Sequence, residues 1–259
     1  MLGVFFVEGV DSEGRHLLEW AYRLQTNNKT LTVAPRKHLK TTLALGYLAW
    51  QLYKMDRPFT EWEYMSYTED LAAHQLKRGK RILRAIPGYF DDFKDVTEAE
   101  GIWRFKKDGC EFVCEPSGIM TFKRGRHPYG SILDDVLRDP RSMMQLSVLQ
   151  EITRVFNEEV ESMPTNELHV FGTPQHDDDL FTVIEKKAGF NCRRYQSVMN
   201  YTTKEVLWPE VFPFDRCEEI RKSIGDKAFS KEYQCQPVHG AEGYFSQQEL
   251  DSVIYKRLK

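Results

Sequence analysis

The stretch TLTVAPRKHLKTTLALGYLAW, residues 30–50, begins with a β-rich run, turns at Pro35 and continues with a pattern that predicts an amphipathic helix. Lys40 and Thr41 stand where a phosphate-binding loop of the form GxxxxGK[ST] ends. In such a loop, backbone N–H groups surround the phosphates, the lysine reaches their oxygens and the hydroxyl binds Mg²⁺. Ala34 and Leu39 occupy the two glycine positions, although the context of strand, loop and helix is kept. A strand, a turn and a helix joined by a basic loop is the alternative interpretation.

The composition predicts a globular chain with one large domain, or one domain with a small appendage. Of its 259 residues, 41% are hydrophobic and 29% are charged, which is enough apolar material to fill a core. The formal net charge of −3 does not indicate nucleic-acid binding, so any such surface must be local. No apolar run approaches the ~20 residues that span a bilayer, and the first residues carry acids, unlike a signal peptide.

The five cysteines are an odd number and are spread widely along the chain. Only Cys110 and Cys114 lie close together, and neither a second close pair nor an HxxxH segment accompanies them. We therefore expect no zinc site, reduced thiols and a cytoplasmic location.

Apolar runs alternate with longer helical patterns, which predicts an α/β fold with a mainly parallel sheet flanked by helices. The predicted strands are residues 30–34, 63–66, 111–114, 131–134, 168–172 and 197–201. The predicted helices are residues 14–24, 40–53, 68–84, 143–160 and 180–188. From about residue 207 the pattern changes to the proline-broken aromatic run WPEVFPFDRC, followed by a helix over 215–224. This change indicates a small C-terminal helical subdomain.

The stretch HPYGSILDDVLRDP carries an apolar run into Asp134 and Asp135, where a parallel strand would end. A P-loop ATPase needs one acid there to hold Mg²⁺ and a second to orient or deprotonate the attacking water. Two adjacent acids could also form a solvated turn. Together with Lys40 and Thr41 about ninety residues earlier, the acid pair favours a nucleotide site.

A third segment, LHVFGTPQHDDDLF, again ends an apolar run at a turn of small residues, 172–174. Ligands of doubly wound sheets lie at the carboxyl ends of the strands, which would bring Thr173 near the γ-phosphate. An ordinary turn before a helix that begins with acidic residues is the alternative.

Five segments in a fixed order resemble the ATPase half of a large terminase subunit, the motor that drives DNA into tailed-bacteriophage procapsids. They are APRKHLKTT, YMSYTEDLAAHQLKR, RGRHPYGSILDDVL, VFGTPQHDDDL, and LWPEVFPF with AFSKEYQCQPV. The resemblance covers about residues 15–245 and implies a P-loop NTPase fold of the ASCE type. Family members commonly carry APRGxGK[ST] in the loop, so Ala34 follows the family pattern, whereas Lys37 and Leu39 depart from it.

The resemblance implies ATP and Mg²⁺ as ligands and a role for each residue of the loop. Lys40 is expected to contact the phosphates, and Thr41 and Asp134 to bind Mg²⁺. The residues expected to surround the nucleotide are Ala34, Pro35, Arg36, Lys37, His38, Leu39, Lys40, Thr41 and Thr42. Gln25 is the candidate for contacting the adenine.

The resemblance also implies the catalytic residues. Asp135 takes the place of the catalytic acid, which is usually glutamate in this family, and Arg36 matches an arginine that faces the phosphates in cis. Thr173 belongs to the motif that couples hydrolysis to movement. Arg124 stands where an arginine finger for a neighbouring subunit is expected, with Arg126 close enough to replace it; a guanidinium suits this role because it is always charged and forks onto two oxygens.

The implied partners are double-stranded DNA, the portal protein, the small terminase subunit and further copies in a pentameric ring on the procapsid, in the host cytoplasm and without a membrane. Two basic clusters could contact DNA phosphates. One is Lys77, Arg78, Lys80, Arg81 and Arg84 on a helix, and the other is Lys123, Arg124 and Arg126 in a loop. A solvated helix face is the favoured interpretation of the first cluster.

The expected division is an ATPase core over residues 1–206 and a helical lid or linker over 207–259, with no nuclease domain on this chain. Two functions from different classes stay open. One is an ATP-driven DNA translocase, which the retained Lys40, Thr41, Asp134 and Asp135 favour. The other is a DNA- or portal-binding structural subunit whose altered loop no longer turns over ATP.

Overall fold

A computed structural model describes residues 14–89, 91–97, 99–137 and 145–237. The described residues form an eight-stranded sheet in the order β3-β4-β5-β2-β6-β7-β1-β8. Its strands are β1 Lys29–Val33, β2 Phe59–Ser66, β3 Lys94–Asp95, β4 Trp103–Lys107, β5 Cys110–Gly118, β6 Gly130–Asp134, β7 Glu167–Gly172 and β8 Asn191–Arg194. Only β4 runs antiparallel to its neighbours, so the sheet is mainly parallel, as the sequence predicts.

Helices cover both faces of this sheet. They are α1 Arg15–Thr26, α2 Lys40–Lys54, α3 Glu69–Arg84, α4 Leu146–Glu158, α5 Leu180–Glu185, α6 Phe214–Ile224 and α7 Asp226–Glu232. One apolar core, which includes Trp20, Leu48 and Trp62, joins the sheet to α1, α2 and α3. A second core on the other face, which includes Leu133 and Phe156, joins it to α4 and α5. This layered arrangement confirms the predicted α/β fold class.

The residues of the central strands explain their position. Every residue of β6 and β7 is buried, as expected for strands that are covered on both faces and flanked by other strands. At the start of α3, the Thr68 hydroxyl accepts a hydrogen bond from the Leu71 N–H, and Glu69 and Asp70 follow in the first turn. Both features stabilise the amino end of a helix.

A third apolar cluster lies outside the two cores. We call it the C-terminal cluster; its buried residues are Val198, Trp208, Phe212, Cys217, Phe229 and Tyr233. Most of them come from α6, α7 and the turn before α6, which agrees with the expected helical character of this segment. The expected division at residues 206 and 207 stays a prediction, and residues 1–13 and 238–259 lie outside the described residues.

Some predicted elements differ from the structure. The predicted strand over 197–201 is present as β9 Val198–Asn200, but it pairs with β10 Glu205–Val206 in a separate hairpin and is not part of the eight-stranded sheet. The edge of the sheet is instead β8, whose polar sequence NCRR carries no apolar run. The predicted helix over 180–188 ends earlier, at Glu185. Residues 143 and 144 of the predicted helix 143–160 lie outside the described residues, and that helix begins at Leu146.

Candidate nucleotide-binding site

The residues singled out by their sequence meet at the carboxyl ends of three neighbouring strands. β1 leads into the loop 34–39, β6 ends at Asp134, and β7 is followed by Thr173. In the sheet, β7 lies between the other two strands. Gly172 allows the tight passage from β7 to Thr173, because a Cβ at this position would collide with the Phe181 ring. Three segments distant in sequence therefore surround one point of the sheet edge.

The loop between β1 and α2 has the shape of a phosphate-binding loop without its glycines. Lys37 has φ 65° and Leu39 has φ 64°, so both are left-handed. In the terminase pattern that the sequence resembles, these two positions are commonly glycine, and a non-glycine residue costs roughly 1–2 kcal/mol there. The loop nevertheless ends at the amino end of α2, where helix N–H groups favour an anion.

Lys40 is held by oxygen atoms of the loop itself. Its ammonium donates hydrogen bonds to the carbonyls of Ala34 and Pro35, at 2.9 and 3.0 Å, and to the Thr173 hydroxyl at 2.9 Å. The Thr173 hydroxyl donates in turn to the Ala34 carbonyl at 3.1 Å. Lys40 and Thr173 are both buried, so these contacts replace the water that the ammonium loses. The structure thus joins two residues for which the sequence implies separate contacts with the phosphates.

Asp134 is buried next to Thr41. One carboxylate oxygen, Oδ2, accepts hydrogen bonds from the hydroxyls of Thr41 and Tyr64, both at 2.7 Å. The other oxygen, Oδ1, is buried and has no hydrogen-bond partner among the described residues. Burial, and secondly the nearby Asp135, raises the pKa of the Asp134 carboxyl from 3.8 to about 7.

These atoms fit the Mg²⁺ ion that the fold implies. Mg²⁺ prefers oxygen ligands and in nucleotide sites is held by one or two protein groups together with phosphates and water. A buried carboxylate oxygen without a partner and an adjacent hydroxyl are such a set. In the part of the chain that the structure describes, no group of three or more His, Cys, Asp or Glu residues could hold a metal on its own.

Asp135 is presented differently from Asp134. Its backbone is left-handed, with φ 50°, a conformation that aspartate adopts more readily than most residues. Its N–H donates to the Phe171 carbonyl at 3.0 Å, which fixes the turn after β6. The residue is half-buried, so its carboxylate is more accessible than that of Asp134.

The remaining residues of the loop divide into two groups. Arg36 and Lys37 are exposed, and Thr42 is half-buried at the start of α2. His38 is fully buried and Leu39 packs against the C-terminal cluster, so both side chains contact protein. Gln25 belongs to α1, which ends beside the start of β1. The structure therefore places Gln25 at the sheet edge opposite the loop, which argues against the expected contact with adenine.

Two residues near Asp134 belong to the site although their own sequence does not indicate it. Tyr64 and Ser66 lie at the carboxyl end of β2, beside β6. The Ser66 hydroxyl donates to the Asp134 carbonyl at 2.8 Å, and Tyr64 binds the carboxylate as described. Polar atoms at the carboxyl end of a strand next to the acid-bearing strand are the pattern that could have identified them.

The two arginines of the loop before β6 have different environments. Arg126 is mostly buried and bridges the carboxylates of Glu61 and Glu115, so it is fixed to the sheet. Arg124 is 78% exposed and pairs with Glu159, after α4, at 2.7 Å. Because α4 ends toward the amino end of β7, Arg124 lies away from the phosphate loop of its own chain.

Four of the five basic side chains in the cluster on α3 pair with two acids of the same chain. Lys80 and Arg84 pair with Asp95, and Lys77, Arg81 and Arg84 pair with Glu100. Lys80 is buried, so it is not available to a nucleic acid. These contacts favour a structural role for this cluster over a DNA contact.

None of the helices in the described ranges has the length and apolar character of a membrane-spanning segment.

The order of the strands and the loop between β1 and α2 agree with an α/β P-loop NTPase fold. Among solved structures, the HK97 bacteriophage large terminase has a TM-score of 0.60 and 15% identity over 87% of this chain. The ATPase domain of the Thermus phage P74-26 large terminase has a TM-score of 0.58 and 15% identity over 84% of this chain. The chain therefore has the fold of phage large terminase ATPase domains.

The fraction of each solved chain that this chain covers indicates which part of the terminase is similar. This chain covers 92% of the P74-26 ATPase domain but only 51% of the HK97 large terminase. A large terminase from a thermophilic bacteriophage, solved in complex with ATP-gamma-S, has a TM-score of 0.53 and 13% identity, with 86% of this chain and 52% of that chain covered. No protein-family model and no curated protein matches the sequence.

Proposed function

We propose that this chain is the ATP-hydrolysing motor domain of a viral DNA-packaging terminase, which couples hydrolysis to movement of double-stranded DNA into a procapsid. One observation carries the proposal. Thr41 lies 93 residues before Asp134, and Lys40 lies 133 residues before Thr173, yet each pair is in direct hydrogen-bond contact. A lysine, a hydroxyl and a buried carboxylate at the carboxyl edge of a parallel sheet are the groups that phosphoryl transfer requires.

The chemistry follows from where these groups lie. Lys40 would neutralise phosphate charge once its ammonium turns from the loop carbonyls toward the nucleotide. Thr41 and Asp134 would hold Mg²⁺, which when bound supplies charge neutralisation of the phosphates. Asp135, half-buried after β6, would orient the attacking water and accept its proton. Thr173, bonded to Lys40, would transmit the change at the phosphates to β7.

The further parts of the proposal concern charge and assembly. Arg36 would face the phosphates in cis, and Arg124 would serve as the arginine finger of a neighbouring subunit in a pentameric ring. The portal protein, the small terminase subunit and double-stranded DNA are the proposed partners, in the host cytoplasm. Support for a nucleotide comes from the large terminase of the thermophilic bacteriophage, which was solved in complex with ATP-gamma-S.

A second candidate function is a structural subunit that binds DNA or the portal protein and hydrolyses ATP weakly or not at all. The observation that favours it is the left-handed backbone at Lys37 and Leu39, where family members carry glycine. Strain in the loop would lower the affinity for phosphates.

Two variants separate these functions by assays of Mg²⁺-dependent ATP hydrolysis and nucleotide binding. Lys40→Ala should weaken binding and abolish turnover, because the ammonium stabilises phosphate charge in both the ground state and the transition state. Asp135→Asn should lower turnover by about 10²–10⁴ and leave binding nearly unchanged, because its carboxylate acts on the water. Hydrolysis by Asp135→Asn at the parent rate would show that the roles are assigned wrongly. A parent protein without any hydrolysis, alone or assembled, would support the structural subunit.

A further inference from the structure

The phosphate loop keeps its left-handed backbone at Lys37 and Leu39 without the conformational freedom of glycine. Some other contact must therefore hold the loop in this shape, because a strained backbone persists only where its surroundings determine it. The contacts of the next side chains show what these surroundings are. Arg36, His38 and Leu39 all meet residues of the C-terminal segment, far away in sequence.

His38 makes the most extensive of these contacts. Its ring stacks on Phe212, with 4.6 Å between the ring centroids and 15° between the planes, and it packs edge-on against Trp208 at 6.0 Å. The Nδ1 atom lies 2.9 Å from the Arg36 carbonyl, which can only accept, so Nδ1 carries the hydrogen and donates it. Burial lowers the pKa of the His38 ring to about 3, so the ring is neutral at physiological pH. His38 therefore ties the loop backbone to an aromatic surface.

Two neighbours of His38 strengthen the connection. Leu39 packs against the C-terminal cluster, and the Arg36 N–H donates to the Glu232 carbonyl, at the end of α7, at 2.8 Å. The C-terminal segment is itself fixed to the sheet, since Arg194 donates to the Cys235 carbonyl and the Ser197 N–H donates to the Tyr233 carbonyl. The C-terminal segment that contacts the loop is therefore itself held in place.

We propose that the C-terminal cluster holds the phosphate loop in its anion-binding shape, with His38 and Phe212 as positioning residues that take over the part played by glycine. This inference rests on the proposed function, because it assigns the origin of nucleotide affinity in the same site. Its consequence is that damage to Phe212, which belongs to no phosphate-binding segment, weakens nucleotide binding. The Leu39 side chain, at one of the glycine positions, is then part of the site's construction and not a sign of decay.

Hydrogen exchange of the full chain without nucleotide tests the support directly. The amides of Arg36 and Leu43 are hydrogen-bonded, to Glu232 and Leu39, and report the loop and its junction with α2. Phe212→Leu keeps apolar volume but removes the flat stacking surface, and should speed exchange of these amides about tenfold. The matched control is Phe105→Leu on β4, which is also buried and is separated from β1 by four strands. It should leave loop exchange unchanged.

The same variants are then titrated with Mg²⁺-ATP-gamma-S. Phe212→Leu and His38→Ala should weaken binding about tenfold, whereas Phe105→Leu, which truncates a buried ring elsewhere in the fold, should not weaken it. His38→Ala, which removes the loop's side of the stack and leaves the C-terminal cluster intact, serves if Phe212→Leu fails to fold. Loop exchange at the parent rate in the folded variants overturns the proposal, as does faster exchange with unchanged affinity. A parent chain that binds no nucleotide overturns the proposed function instead, while the exchange experiment still decides whether the cluster holds the loop.

Discussion

Asp134 is the residue at which the requirements of stability and of the proposed site conflict most clearly. Its carboxyl group is buried, and burial followed by the charge of Asp135 raises its pKa from 3.8 to about 7. Between these two values the folded protein keeps a proton that the unfolded chain has released. The free energy of unfolding contributed by this group therefore falls as the pH rises from about 4 to about 7 and then levels off.

This sign gives a prediction for Asp134→Asn, whose side chain does not titrate. In the absence of Mg²⁺ and nucleotide, the stability of the variant relative to the parent should rise by about 2 kcal/mol between pH 5 and pH 8. Urea unfolding at the two pH values measures this change. The comparison between pH values removes the constant effect of the amide on the hydrogen bonds from Thr41 and Tyr64. A relative stability that stays constant with pH would contradict the raised pKa.

For single residues, the sequence is sufficient to predict the position in the fold wherever the residue follows an apolar run. Lys40, Asp134 and Thr173 could be expected to meet, because the carboxyl ends of parallel strands share one edge. Tyr64 could not be found in this way, since a tyrosine within a strand is most often part of the core. The buried orientation of His38 was also hidden, because its partner Phe212 lies far along the chain.

Among the elements, the loop before β6 depends on one arginine for its position. Arg126 is mostly buried and bridges Glu61 and Glu115, near the buried Glu63, whose pKa is raised chiefly by burial. Removal of Arg126 would leave Glu61 without its cation and Glu115 with Arg104 alone, at 3.8 Å.

We expect Arg126→Ala to lower the free energy of unfolding at pH 8 by about 1–3 kcal/mol. Arg124→Ala is the matched control in the same loop, and it should change stability by less than about 0.5 kcal/mol because the side chain is exposed. Denaturant unfolding of both variants measures the difference. Equal stability of the two variants would show that the bridge does not fix the loop.

A strand or helix could be predicted where its own residues carry a hydrophobic pattern. The central strands β6 and β7 are apolar and buried, and their positions agree with the prediction within one residue. Strand β4, next to the edge strand β3, and the edge strand β8 have the sequences WRFKK and NCRR, whose polar residues resemble loops. The segment 197–201 looks like a strand and is one, but its partner is determined by the turn to β10, which local pattern does not specify.

At the scale of the whole molecule, the position of Arg124 bears on assembly. The residue is exposed and lies toward the amino ends of the strands, away from its own phosphate loop. If it acts on ATP, it must act on the nucleotide of another subunit. An arginine finger supplied in trans is worth on the order of 10³–10⁵ in turnover, so an isolated chain should hydrolyse ATP slowly.

We therefore predict that hydrolysis rises steeply when subunits form a ring on a portal, and that Arg124→Ala subunits inhibit mixed rings while still binding ATP. The measurement is the ATPase rate as a function of the fraction of variant subunits. Lys123→Ala is the matched control, because it removes a charge from the same exposed loop without removing a guanidinium. If Lys123→Ala and Arg124→Ala lower the rate equally, the loop is better explained as a DNA contact.

We propose that Lys40, Thr41 and Asp134 form a site for Mg²⁺-ATP despite the missing glycines. Calorimetric titration of Asp135→Asn with Mg²⁺-ATP tests it most directly, because slow turnover keeps the nucleotide intact. We expect saturable binding of one nucleotide per chain, which Lys40→Ala weakens by about tenfold or more and which Thr41→Ala weakens only when Mg²⁺ is present. Absence of saturable binding at millimolar ATP, or equal binding by Lys40→Ala, would contradict it.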